Sequence, residues 1–159
     1  MTQPIEIRAA TQATEELAAA FARLIPQLSA ATPPDLAALR EIVAAPSNTV
    51  LLAYDPASGK IVGTLTLVVS RIPTAIRAWI EDVVVDSAAR GRGVGEALTR
   101  EGLRLAAERG AASVELTSRP AREAANRLYE RLGFVRGPHT RELHDLSQSV
   151  EFFYRRVLT

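Results

Sequence analysis

The chain contains no cysteine among its 159 residues, and this absence excludes several kinds of chemistry at once. Without a thiol the protein can form neither a disulfide nor a thiolate metal site. It also cannot use a cysteine nucleophile, so a covalent intermediate on an enzyme thiol is excluded.

Long apolar runs are missing as well. The longest of them, such as residues 61–69, are far shorter than the roughly 20 residues that a membrane-spanning helix needs. The N-terminal sequence MTQPIEIR has neither the basic segment nor the apolar segment of a signal peptide. We therefore expect a soluble, cytoplasmic protein with no membrane partner.

Charge of one sign is not in excess, because 19 basic and 18 acidic residues leave a net charge of +1. This balance argues against a nucleic-acid partner. The excess is local: residues 86–136 carry ten basic and seven acidic groups, which favours an anionic ligand there. Arginines on solvated helix faces would explain the same excess.

The hydrophobic content of 47% is enough for one core, so we predict a single domain over residues 1–159.

The spacing of apolar residues predicts a mixed α/β sheet of about six to seven strands with helices on both faces. Short turns join three consecutive β-branched segments within residues 49–85, which predicts an antiparallel arrangement. Residues 79–117 have a strand-helix-strand pattern, so the two strands of this crossover should lie parallel and adjacent. The expected strands are residues 5–9, 49–54, 61–69, 77–85, 113–117, 134–136 and 150–157, and the expected helices begin near Thr14 and Asp35 and span residues 93–109 and 121–131.

A glycine-rich stretch, ARGRGVGEAL at residues 89–98, lies where a predicted strand ends and a predicted helix begins. The start of a helix presents unpaired N–H groups and a partial positive charge, and glycines let a phosphate approach them closely. The dinucleotide pattern G-x-G-x-x-G does not fit, because Glu96 stands where its third glycine would be, and no Lys-Ser/Thr follows for a P-loop. What remains is R-x-x-G-x-G, from Arg90 to Gly95.

This pattern closely resembles the acetyl-coenzyme A signature, Q/R-x-x-G-x-G/A, of the GNAT superfamily of N-acetyltransferases. A second stretch, AREAANRLYERLGF at residues 121–134, resembles the family's motif N-x-x-Y-x-x-x-G-F. Its Asn126 and Tyr129 stand three residues apart and therefore share a helix face. The order of elements over residues 5–136 agrees with the GNAT fold, whereas the last 23 residues match less clearly.

The resemblance implies acetyl-coenzyme A as cosubstrate and no metal. The pyrophosphate would lie on the glycine loop, where Arg90 and Arg92 would add charge or merely orient the backbone. The pantetheine arm would pair with the backbone of Val83 and Val85, and Asn126 would hydrogen-bond to it or to a water on it. The cofactor-binding residues are expected to be Val83, Val84, Val85, Arg90, Gly91, Arg92, Gly93, Val94, Gly95, Glu96 and Asn126. Each group has a structural alternative. The glycine loop could be a turn that only packs the helix on the strand, residues 83–85 could be a plain buried strand, and Asn126 could be a polar residue on the helix surface.

The resemblance also implies catalytic roles for Tyr129 and Glu81. Tyr129 would donate a proton to the departing thiolate, unless it is an ordinary core residue. Glu81 would act as base through water, by similarity to members with an Ile-Glu-Asp start to this strand. Because strand side chains alternate, only one of Glu81 and Asp82 should face the substrate unless a bulge intervenes. Family members usually have such a bulge, which frees N–H groups to polarise the thioester carbonyl. A surface ion pair is the alternative role for Glu81.

The implied function is an acyltransferase that moves an acetyl group to a primary amine of a small molecule by direct attack in a ternary complex. The lack of cysteine agrees with direct attack. Two alternatives stay open: acetylation of a protein N-terminus or lysine, and a non-catalytic acyl-coenzyme A sensor. The acceptor would lie near Glu81, Asp82 and residues 71–76 and 137–149. The loop residues His139 and His144 receive no role, and the resemblance allows a homodimer through the last strands.

Overall fold

A computed structural model describes residues 3–137 and 151–158 of the chain. Every predicted helix and strand is present, although most boundaries differ by one to three residues. The two loop histidines and most of the segment 137–149 lie outside the described residues. The elements in chain order are β1 (Glu6–Ala9), α1 (Glu15–Leu28), α2 (Leu36–Ala44), β2 (Asn48–Tyr54), β3 (Ile61–Ile72), β4 (Ala75–Val85), a short 3-10 turn (Ser87–Ala89), α3 (Val94–Glu108), β5 (Ser113–Ser118), α4 (Glu123–Arg131), β6 (Val135–Arg136) and β7 (Phe152–Val157).

The strands form one seven-stranded sheet in the order β1-β2-β3-β4-β5-β7-β6. The first four strands are antiparallel, and for β2, β3 and β4 their short connections predict this arrangement. The crossover through α3 makes β4 and β5 parallel neighbours, and β7 then pairs antiparallel with both β5 and β6. The predicted mixed sheet, with its parallel step at the crossover, is confirmed.

Helices cover both faces of this sheet, also as predicted. Alternation along each strand sends successive side chains to opposite faces, so two apolar layers form. On one face α3 and α4 pack on residues such as Leu51 and Leu65. On the other face α1 and α2 pack on residues such as Val50 and Leu52.

Local signals explain where the helices begin. The Thr14 side chain accepts a hydrogen bond from the Leu17 N–H at 3.1 Å, and Asp35 accepts one from the Ala38 N–H at 2.8 Å. Helix α3 differs, because it begins after Gly93, a residue without a side chain that could cap it. Its first N–H groups are therefore left for another partner.

The buried faces of α3 and α4 differ from the sequence prediction in detail. Leu105 is only half-buried, because the buried stripe of α3 continues from Val94 and Leu98 through small residues to Ala106. In α4 the buried residues are Asn126 and Tyr129, while Leu128 is half-buried. The α4 face turned toward the sheet is thus partly polar, which is unusual for a helix that only fills a core.

Close packing fixes the start of α3 against the sheet. A Cβ placed on Gly63 of β3 would lie 2.9 Å from Val94 Cγ1 and 3.2 Å from Leu98 Cδ1. Only a residue without a side chain lets α3 approach so near. This contact sets the position of the glycine loop relative to β4.

Two properties of the described residues bear on the expected partners. None of the helices there combines the length and the apolar character required to cross a bilayer. Within the same residues, no three or more histidine, aspartate or glutamate side chains are grouped so that they could hold a metal ion.

Candidate active site

The site begins with a β-bulge in β4. Thr64 of β3 pairs with Val84 and Thr66 pairs with Glu81, so the single residue between the two threonines faces both Asp82 and Val83. Asp82 has a positive φ of 49°, a conformation that aspartate tolerates better than most residues. The extra residue bends the strand away from its neighbour.

Beyond the bulge, β4 and β5 separate. Their parallel pairing is limited to Ala78 with Val114 and Trp79 with Glu115, at the start of both strands. The gap between their carboxyl ends exposes the edge of β4. The Asp86 N–H donates to the Val62 carbonyl at 2.8 Å, so the backbone of residues 84 and 86 faces β3 and that of Val83 and Val85 faces the gap. The backbone of both valines is therefore open to the gap.

A cavity of about 290 Å³ occupies this gap. Residues from both faces of the sheet line it, since Leu28 and Ser29 come from the end of α1 and Tyr129 comes from α4 on the other face. Two ligands could therefore meet inside the sheet. The remaining lining residues are Ile80, Glu81, Asp82, Val83, Leu116, Thr117, Ser118, Arg119, Arg122 and Glu151.

Tyr129 is held firmly at this cavity. Its side chain is 2% exposed, and its ring lies edge-on to Phe134 with centroids 5.8 Å apart and tilted against Tyr154 at 6.0 Å. Its hydroxyl forms no hydrogen bond to any residue in the described part of the chain. Burial raises the pKa of Tyr129 above its usual value, although the Arg122 charge partly opposes this shift. The phenol therefore keeps its proton at neutral pH.

The bulge also changes the orientation of the two acidic residues. Alternation predicts that only one of Glu81 and Asp82 faces the site, but the inserted residue interrupts it. Both are exposed and both line the cavity, while the next two residues, Val83 and Val84, are both buried. The structure thus brings two carboxylates to the site, and either could accept a proton.

Two buried polar oxygens beside the cavity have no hydrogen-bond partner among the described residues. Asn126 donates from Nδ2 to the Arg119 carbonyl at 3.1 Å, but its Oδ1 accepts no hydrogen bond from the described residues. The Ser118 hydroxyl likewise has no hydrogen-bond partner among the described residues, and Ser118 is 4% exposed. Because an unsatisfied buried polar atom costs on the order of 1–3 kcal/mol, such atoms are usually paired. They suit a site that a ligand completes.

The glycine loop lies at the end of β4 and forms an open cradle. Gly91 and Gly93 have φ values of 78° and 77°, and a Cβ on either would meet nothing within 4 Å. The N–H groups of residues 94–96 at the start of α3 have no partner among the described residues, because the first α3 hydrogen bond is from Ala97 to the Gly93 carbonyl. These groups and the helix dipole would bind a phosphate.

The two arginines of the loop behave differently. Arg92 donates to Asp55 at 3.0 Å, in the turn between β2 and β3, whereas Arg90 is exposed and forms no ion pair within the described part of the chain. The Arg92 hydrogen bond and then that of the Ser58 hydroxyl hold the pKa of Asp55 below its usual value. Arg92 is therefore tethered to a neighbouring turn.

Sequence reasoning missed part of the cavity wall. The expected residues 71–76 do not line it, and the end of α1 does so instead. Arg119 and Arg122 were also missed. One signal pointed to them, because both follow β5, and the carboxyl ends of β5 and its parallel neighbour β4 lie at the same edge of the sheet. Ligands commonly bind at this edge in α/β proteins.

Solved structures first show the class of protein. An acetyltransferase from Trypanosoma brucei is 28% identical, with a TM-score of 0.73, and covers 89% of this chain and 99% of its own. A Bacillus anthracis protein described as a streptothricin acetyltransferase, solved in complex with acetyl coenzyme A, is 25% identical, with a TM-score of 0.63, over 75% of this chain and 67% of its own. The fold is that of acetyltransferases.

The family follows from the sequence. The model of the acetyltransferase (GNAT) family matches residues 12–134, more than half of the chain, so the chain belongs to this family. It is also 38% identical over 108 residues to a rice protein (Oryza sativa subsp. japonica) named "Probable glucosamine 6-phosphate N-acetyltransferase 2". That match covers 64% of this chain and 59% of the relative's length. The sequence resemblance to GNAT proteins is confirmed.

Proposed function

We propose that this protein is an acetyl-coenzyme A-dependent N-acetyltransferase that acts on a primary amine of a small molecule. The observation that carries the proposal is the cavity between β4 and β5, where Tyr129 and two carboxylates meet beside an exposed strand edge that leads to the glycine cradle. The rice relative supports a small-molecule acceptor, because its name specifies the amine of a sugar phosphate.

The residues of the gap fit the cosubstrate that the family uses. The N–H groups of residues 91–96 would bind the pyrophosphate, and the backbone of Val83 and Val85 would pair with the pantetheine amides. Asn126 Oδ1, which accepts no hydrogen bond from the described residues, would accept one from a pantetheine amide. Arg122 now donates to the Val83 carbonyl at 3.1 Å, so a ligand that pairs with Val83 must exchange this hydrogen bond for its own.

The chain's own groups account for the proton movements of acetyl transfer. The acceptor nitrogen bonds to the acetyl carbon as the carbon–sulfur bond breaks. Glu81 takes the proton of the amine through water, and the backbone N–H groups freed by the bulge stabilise negative charge on the acetyl oxygen. Tyr129 donates its proton to the departing sulfur, which balances the charge.

The base can be assigned by two matched substitutions. Glu81→Gln should lower kcat/KM for the acceptor by about tenfold to a hundredfold, because it removes the proposed base and keeps the side-chain volume. Asp82→Asn, one residue along the same bulge, should lower it by less than about threefold. Steady-state kinetics at a fixed pH measure both. A larger effect of Asp82→Asn would move the role of base to that residue.

Two substitutions distinguish whether Arg92 orients the glycine loop through Asp55 or contributes its charge to the phosphate directly. If the tether to Asp55 orients the glycine loop, then Asp55→Asn and Arg92→Gln should weaken acetyl-coenzyme A binding by similar factors, about threefold to tenfold. Calorimetric titration gives both dissociation constants. If only Arg92→Gln weakens binding, Arg92 contributes charge to the phosphate and the tether does not matter.

The proposed function is tested by the release of free coenzyme A. The protein is incubated with acetyl-coenzyme A and a panel of small amines, N-terminal peptides and lysine peptides, and a thiol reagent reports turnover. We expect turnover with at least one small amine. Turnover with peptides only would favour a protein acceptor, and tight binding without any turnover would favour a sensor.

A further inference from the structure

Two arginines at the end of β5 line the cavity without an ion pair to any carboxylate of the described residues. Arg119 donates to the Leu28 carbonyl and Arg122 to the Val83 carbonyl, and neither forms an ion pair within the described part of the chain. A guanidinium has five N–H donors, so each arginine keeps further donors for a ligand. Each side chain is fixed in place by a neutral backbone oxygen.

The two arginines belong to different sides of the cavity. Arg122 reaches the Val83 carbonyl, on the strand edge where the pantetheine is proposed to pair. Arg119 reaches the last residue of α1, and α1 covers the sheet face opposite α3 and α4. Arg119 is therefore on the side that the glycine cradle leaves open, where an acceptor would enter.

The opposite wall of the cavity is acidic. Glu81 and Asp82 come from the bulge of β4, whereas Arg119 comes from the loop after β5. The Ser118 side chain also lines the cavity, but it shares a face of β5 with Leu116 and therefore lies on the side of α3 and α4, away from Arg119. Glu151, which precedes the residue paired with Ser118, lines the cavity as well. An acceptor thus meets the carboxylates of the bulge on one wall and the Arg119 cation at the end of β5 on the other.

We propose that the acceptor carries an anionic group, a phosphate or a carboxylate, in addition to its primary amine, and that Arg119 binds this group. The inference rests on the proposed function and refines it to a class of substrate. A guanidinium fork suits both anions, because each presents two oxygens in one plane. With the anion at Arg119, the amine is directed toward the carboxylates of the bulge.

Matched acceptors test the proposal on the wild-type protein. Each pair differs only in the anion: phosphoethanolamine and ethanolamine, β-alanine and β-alaninamide, and glucosamine 6-phosphate and glucosamine. We expect kcat/KM to favour the anionic member by about tenfold to a hundredfold in at least one pair, as a charge-assisted hydrogen bond provides. The pairs that show the preference distinguish phosphate from carboxylate.

A variant assigns the preference to Arg119. Arg119→Gln should remove it by raising KM for the anionic acceptor, with kcat and the dissociation constant of acetyl-coenzyme A unchanged. Arg127→Gln is the matched control, because Arg127 lies on the exposed side of α4 and only faces Glu123 at 3.9 Å. It should leave all three constants unchanged. An unchanged dissociation constant for acetyl-coenzyme A also shows that the variant is folded.

Several results would overturn the proposal. Equal kcat/KM values for charged and neutral partners in wild-type protein would do so without any variant and would leave the proposed function intact. Weaker acetyl-coenzyme A binding in folded Arg119→Gln, with an unchanged KM for the acceptor, would make Arg119 a cofactor contact. No turnover of any amine would instead reject the proposed function, and the anion site with it.

Discussion

Tyr129→Phe is expected to lower kcat by about a hundredfold to a thousandfold while the dissociation constant of acetyl-coenzyme A changes little. The substitution removes one oxygen at the cavity and keeps the ring that packs on Phe134 and Tyr154. A positioned general acid contributes roughly 10²–10⁴-fold to a rate, and nothing else in the described cavity offers a neutral phenol. Single-turnover release of coenzyme A and calorimetry measure the two quantities separately.

Tyr154→Phe is the matched control. Tyr154 is fully buried, its ring lies 6.0 Å from that of Tyr129, and its hydroxyl donates to Glu130 at 3.3 Å without lining the cavity. This variant loses the same atom from the same aromatic group, so it should alter stability slightly and kcat by less than about threefold. Equal kcat values for Tyr129→Phe and wild type would remove Tyr129 from the mechanism.

The pKa of Tyr129 adds a pH dependence with a defined sign. Because burial raises the pKa, the folded protein holds the phenolic proton more tightly than the unfolded chain does. The corresponding stability is fully present below the usual tyrosine value of 10 and is lost as pH rises through the higher folded value. Catalysis at neutral pH should therefore show no loss from ionisation of Tyr129.

The parts of the site that the sequence predicts are those that short-range chemistry determines. The glycine loop is visible because three glycines stand at the start of an amphipathic helix, and Tyr129 is expected because residues 121–134 resemble the family motif N-x-x-Y-x-x-x-G-F. The mixed sheet follows from short turns before β4 and a helical crossover after it. Each of these features is encoded within about 40 residues of chain.

The remaining parts depend on register and on distant contacts. The bulge at Asp82 is expected from the family resemblance alone, because it exists only relative to β3, where one residue faces two, and no count along β4 reveals it. Arg119 contributes to the cavity because it reaches Leu28, 91 residues earlier in the chain. Periodicity within a single segment cannot detect such a pair, and for the same reason the end of α1 was not predicted as part of the wall.

Gly93→Asp is expected to weaken acetyl-coenzyme A binding by a hundredfold or more, about 2.7 kcal/mol or greater. Gly93 precedes α3 with a φ of 77°, and a side chain there would extend into the open cradle. A carboxylate at this position repels a pyrophosphate, and as an N-cap it would also accept the α3 N–H groups that the pyrophosphate needs. Binding should therefore fall even if the cap offsets the backbone strain and leaves the helix stable.

Gly110→Asp is the control for Gly93→Asp, because it adds the same charge and a similar backbone strain at a place far from the glycine loop. Gly110 follows the other end of the same 15-residue helix with a φ of 83°, roughly 22 Å from the cradle. The Gly110→Asp variant gains the same carboxylate at a residue that also has a positive φ, but this residue is near the negative end of the helix dipole. The substitution should therefore lower thermal stability and leave acetyl-coenzyme A binding unchanged. Calorimetry with acetyl-coenzyme A and thermal unfolding of both variants give the comparison. If the two variants bind equally well, the glycine loop is not where the phosphates lie, and the arginine-lined cavity would have to hold them instead.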